Sequence, residues 1–107
     1  MKTLFINFSK TLLFLLFSSI IHANADELFN KGKEVFLESG NCAACHSLAD
    51  AESNANIGPN LNEIRPEIQR IIIAVKNGIG VMPAMEGVLS NEEIEAVAHY
   101  VSISADK

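Results

Sequence analysis

The tightest constraint on this chain is that its only two cysteines are separated by just two residues, in Cys42-Ala43-Ala44-Cys45-His46. A bond between them would close a tiny loop and join nothing distant. The whole sequence has 107 residues, with no Trp and a single Tyr, enough for one small domain. A domain of this size has a thin core and often depends on a staple, a metal or a cofactor. If these cysteines support the fold, they do so by holding something else.

The opening stretch has the pattern of an export signal. Lys2 and Lys10 make a basic start, residues 11–21 read TLLFLLFSSII, and Ala23-Asn24-Ala25 gives the small-x-small pattern of a cleavage site. The apolar run falls short of the about 20 residues needed to cross a bilayer. Residues 1–25 are therefore expected to be a signal peptide and 26–107 the functional domain. That remainder holds thirteen acidic and six basic side chains, a net charge of −7. Such acidity argues against nucleic acid and anionic membranes as partners, and suits docking onto a basic patch of another protein.

Periodicity predicts three helices and no strands. The first spans about Asp26 to Ser39, with Phe29, Gly32, Val35 and Phe36 at helical spacing and Gly40 as a stop. Gly32 inside it costs roughly 1 kcal/mol against Ala, which makes sense if another helix crosses there. The second spans Pro66 to Asn77, with Pro66 at its first position, Gly78 just past its end and a broad apolar face of Ile68, Ile71, Ile72 and Val75. Ile73 and Ala74 widen that face, so little of this helix is expected to meet water. The third spans Asn91 to Ser102 behind a Ser90–Glu93 capping box, with Ile94, Val97, Ala98 and Val101 as its stripe. Residues 47–65 read as a long irregular stretch, and such a loop needs something beneath it to pack on.

The chemistry lies in the C-x-x-C-H pentapeptide, the attachment pattern of c-type haem. Both thiols add to the two vinyl groups of the porphyrin as thioethers, and His46 then lies where its imidazole can bind the iron as an axial ligand. Rival readings are weaker. A thioredoxin-like pair calls for a βαβ context, and a zinc site calls for a fourth ligand. For the second axial position the chain offers Met82, in a Gly-rich loop fixed by Pro83, with Met85 as competitor. Both methionines could instead be core fillers. His99 reads as a surface helical residue, His22 falls in the leader, and Lys33 and Lys76 are candidates to face the haem propionates.

These residues resemble the class I c-type cytochromes, the small single-haem bacterial and photosynthetic kinds, over nearly all of Asp26 to Ser102. Gly32 and Phe36 match the family's first helix, Gly58-Pro59-Asn60-Leu61 its G-P-x-L segment, Met82-Pro83-Ala84 its M-P-A stretch, and Ile94, Val97, Tyr100 and Val101 its closing helix. Met85 departs from the Phe that photosynthetic relatives carry after M-P-A. The resemblance implies an all-α fold of three to four helices around one covalent haem c. It implies that Gly32 and Phe36 cross the last helix near Val97 and Tyr100. It also implies that the Pro59 carbonyl accepts the other ring N–H of His46 and that Leu61 packs on the porphyrin.

The expected function is a soluble, monomeric single-electron carrier working between redox proteins outside the cytoplasm, in a periplasm or alternatively a thylakoid lumen, and transforming no substrate. The site is Cys42, Cys45, His46, Pro59, Leu61 and Met82, with His46 and Met82 on the metal. The alternative is a haem c subunit held by a periplasmic dehydrogenase, such as one that oxidises sulfite. An open-iron haem enzyme or gas sensor would require that neither methionine ligate.

Overall fold

The computed structural model describes residues 24–107, so most of the expected leader, residues 1–25, lies outside the described residues. Helix α1 occupies 24–34, then widens into a π-helical turn over Val35–Ser39. The Gly40 N–H closes that turn on the Val35 carbonyl at 2.7 Å. Gly40 ends the helix as expected, but for a different reason. Its φ is −88°, and a Cβ there would meet the Val35 carbonyl and the Cys42 sulfur. The left-handed residue is Asn41, at φ 51°.

The stretch 47–65 is more ordered than its composition predicts. Strands β1 (Ser47–Leu48) and β2 (Ser53–Asn54) pair antiparallel around a 3-10 turn, Ala49–Ala51. The buried Ser53 hydroxyl ties the ribbon to Leu48 through both its N–H and its carbonyl. A one-turn helix α2, Leu61–Ile64, follows behind an Asn60 cap and lies against β1. Strands of two residues carry no alternation to detect, which is why periodicity missed them.

Helix α3 spans Ile68–Asn77 and starts two residues later than expected, because Glu67 is still extended at ψ 152°. Pro66 therefore precedes the cap. Gly78 ends the helix at φ +72°, where its missing Cβ also clears the Met82 carbonyl. Only Ile71 and Val75 of α3 are buried, while Ile68 and Ile73 are exposed, so the apolar face is narrower than expected.

Helix α4, Asn91–Ser104, packs on α3 and supplies more of the core than any other element. Both capping-box bonds form at 3.1 Å. Gly32 earns its place at the crossing of α1 over α4, where a Cβ would run into the Ala96 carbonyl and Tyr100 Cβ. Tyr100 is fully buried, with Phe29 and Phe36 set edge-on to its ring at 5.0 and 5.8 Å.

Candidate functional site

Cys42 opens a 3-10 turn, Cys42–Ala44, that follows the π-helical end of α1, and Cys45 caps it. The turn continues through the second cysteine, since both the Cys45 and His46 N–H groups bond the Cys42 carbonyl, at 3.1 and 2.9 Å. Three hydrogen bonds place His46, and they share one register. Gly58 N–H donates to the Cys45 carbonyl at 2.7 Å, His46 Nδ1 donates to the Pro59 carbonyl at 2.8 Å, and Ala49 N–H donates to Asn62 Oδ1 at 2.8 Å. Each joins residues thirteen apart, so segments 45–49 and 58–62 run side by side as a three-rung ladder. A carbonyl only accepts, so the middle rung fixes the tautomer: Nδ1 carries the proton and Nε2 keeps its lone pair for a metal. Gly58 lies flat on the imidazole, and a Cβ there would sit 2.6 Å from His46 Cε1.

The candidate distal residues sit on the α3–α4 connection. A two-residue turn joins Ile79 and Met82 by bonds of 2.9 and 3.1 Å, with Gly80 at φ +56° supplying the conformation the turn requires. Met85 N–H is fastened to the Val75 carbonyl at 2.8 Å. Both methionine side chains are half-buried against the core. Leu61 is buried in the same core.

The remaining expectations separate clearly. Lys33 pairs with Asp50 at 3.3 Å, so it does not stand free. His99 is half-buried on α4 rather than fully exposed. Two groups escaped sequence reasoning. Asp50 accepts from the Tyr100 hydroxyl at 2.8 Å and pairs with both Lys33 and Lys107. Burial alone would push its carboxyl up, but the Tyr100 hydroxyl and the two ammonium groups outweigh that and hold it below the usual carboxylate range. The other is Asn62, whose only sequence signal is its place just beyond Gly58-Pro59-Asn60-Leu61.

The donor set fits haem c and not its rivals. Cys42 and Cys45 form no disulfide. Burial, reinforced by the neighbouring Cys45, pushes the Cys42 thiol up to about 11, despite an opposing backbone hydrogen bond. A redox-active pair needs a thiol shifted the other way. Among the described residues no three His, Cys, Asp or Glu side chains converge as a metal cage. A single free imidazole nitrogen, two closely spaced thiols and a soft thioether are instead what a porphyrin iron and two vinyl groups take. Exposed apolar residues flank the candidate ligands, Ile57 beside Gly58 and Ile79 and Val81 beside Met82. Apolar surface so placed suits the flat apolar body of a porphyrin.

The fold and this donor set define a small single-haem class I c-type cytochrome, an electron-transfer protein with one covalent haem c, and the chain belongs to that family. Residues 27–101 match the cytochrome c family described as "Cytochrome C oxidase, cbb3-type, subunit III". The chain is similar to the c-type cytochrome SorU from Sinorhizobium meliloti, whose crystal structure superposes with a TM-score of 0.73 at 54% identity, covering 77% of this chain and 95% of that one. It is also similar to cytochrome c6 of Leptolyngbya boryana, 36% identical over 80 residues (71% of this chain and 92% of the relative). Cytochrome c6 of Cladophora glomerata is 40% identical over 81 residues, or 70% and 87% of the two chains.

Proposed function

We propose that this protein is an exported, monomeric shuttle that carries single electrons between redox proteins in a periplasm, with residues 1–25 removed as a signal peptide. Haem c supplies a one-electron Fe(II)/Fe(III) couple. Cys42 and Cys45 would anchor it, His46 Nε2 and the Met82 sulfur would bind its iron, and Pro59 and Leu61 would set the imidazole and the apolar wall. The observation that carries this reading is the 2.8 Å bond from His46 Nδ1 to Pro59, which leaves one ring nitrogen free and aims it by a fixed partner.

Each residue has a physical task. Pro59 draws on the Nδ1 proton and makes the ring a better donor. The Met82 thioether is soft and favours the ferrous state, so the pair sets a raised potential. With the Met82 sulfur on the iron, oxygen and substrates would find no open site there. The acidic surface of the domain suits a partner with a basic docking patch. No helix among the described residues is long and apolar enough to cross a membrane. The deciding experiment is the visible spectrum of the protein matured in a host competent for haem c attachment. Low-spin bands in both oxidation states, with the far-red band of a Met–Fe(III) bond in the oxidised form, are expected. A high-spin ferric spectrum that binds carbon monoxide freely when reduced would overturn the ligation.

A further inference from the structure

The imidazole bond to Pro59 is the middle rung of the ladder, with one further rung on either side of it. The near rung, Gly58 to Cys45, is backbone to backbone. The far rung is made by a side chain, Asn62 Oδ1 accepting from Ala49 N–H at 2.8 Å. That carboxamide is tied on its other side too. Its Nδ2 group approaches the Ser104 and Ala105 carbonyls, at 3.4 and 3.5 Å, at the end of α4. Its own N–H bonds Asn60 Oδ1 at 3.0 Å, closing the cap of α2. One residue thus joins three pieces: the segment that carries His46, the segment that carries Pro59, and the C-terminal end of α4.

We infer that Asn62 is a positioning residue for the axial imidazole and so sets part of the reduction potential. This rests on His46 being the axial ligand. With the far rung gone, segment 58–62 is held to 45–49 only at the Gly58 end, and the Pro59 carbonyl drifts from Nδ1. A ring that donates less strongly through Nδ1 has less imidazolate character and stabilises Fe(III) less, so the potential rises.

The test compares the full holoprotein with Asn62→Ala, Asn62→Asp and a Ser90→Ala control, which weakens α4 without touching the ladder. Two quantities are read, the midpoint potential and the deuterium exchange rate of the His46 Nδ1 proton in the ferrous protein by NMR. Asn62→Ala is expected to raise the potential and to speed exchange by about tenfold or more, because local opening controls exchange. Asn62→Asp keeps an acceptor for Ala49 and loses only the donor to α4, so its exchange stays near wild type while its melting point falls. Its added charge favours Fe(III), so exchange is its readout. Asn62→Ser, one bond too short to reach Ala49, carries the same expectation as Asn62→Ala if the latter does not accumulate. Exchange and potential in the short variants that match wild type and Ser90→Ala would overturn the inference, as would Asn62→Asp exchanging as fast as Asn62→Ala. Failure of the ligation itself would be seen separately, as a wild-type spectrum that is not low-spin.

Discussion

Gly58→Ala probes the site with one methyl group. The added Cβ would lie 2.6 Å from His46 Cε1, 2.9 Å from Nδ1 and 3.0 Å from Nε2. Carbon pairs settle at about 3.5–4.0 Å, so the ring and residue 58 must part by roughly 1 Å. Neither can move freely. Residue 58 is held to Cys45 at 2.7 Å and the ring to Pro59 at 2.8 Å, so one of these bonds breaks. Overpacking costs about 1–3 kcal/mol, and a lost hydrogen bond adds about 0.5–1.5 kcal/mol. Together these come to about 1.5–4.5 kcal/mol, a fall in Tm of at least roughly 6 °C for a domain this small. The assay is thermal melting by circular dichroism beside the oxidised and reduced visible spectra. The control is Gly87→Ala, where φ is +82° but nothing lies within 4 Å. It should cost about 1–2 kcal/mol in backbone strain and leave the spectrum alone. If Gly58→Ala keeps the wild-type spectra and melts within about 2 °C of wild type, the contact of Gly58 with the imidazole does not govern the site.

Met82→Ala is expected to open the reduced protein to carbon monoxide, followed in the Soret band; if Met85→Ala does so instead, the distal ligand is Met85. Cys42→Ala or Cys45→Ala should weaken covalent retention, seen as reduced haem staining on a denaturing gel. Tyr100→Phe should cost on the order of 1 kcal/mol and leave the spectrum unchanged. Its pH dependence follows from Asp50. Because the folded pKa lies below the unfolded one, Asp50 stabilises the protein above about pH 4, and that stability is lost as pH falls through the lowered value. The melting gap between wild type and Tyr100→Phe should therefore narrow in acid. The haem-free chain should be largely unfolded by circular dichroism, since its core loses the body it packs around.

The legible parts of the sequence were those with local causes. Pentapeptide spacing, the Ser90–Glu93 cap and the stripe of α4 each depend on residues within a turn or two of one another, and the structure realises the last two as read. Gly32 was legible as a crossing point because a glycine inside a helix calls for a neighbour, although the backbone it meets is that of Ala96 and not of Val97. Residues 47–65 were not legible. Their order comes from the Ser53 hydroxyl, from Asn62 reaching back to Ala49 and from Asp50 reaching forward to Tyr100, pairings set by tertiary contact and invisible to periodicity. The face of α3 was overread because apolar content was taken for burial, and Ile73 shows the difference.

The shared register of the ladder also dictates where the polypeptide tolerates a change of length. An insertion or deletion at 45–49 or 58–62 slips one strand of rungs against the other and carries the imidazole with it. Between β2 and Gly58 the backbone belongs to neither side, and Asn56 is exposed there, just ahead of the apolar Ile57 that flanks the site. A peptide tag or a surface-attachment cysteine grafted after Asn56 would ride on the exterior without disturbing the alignment, which makes this short span the natural point for wiring the protein to an electrode.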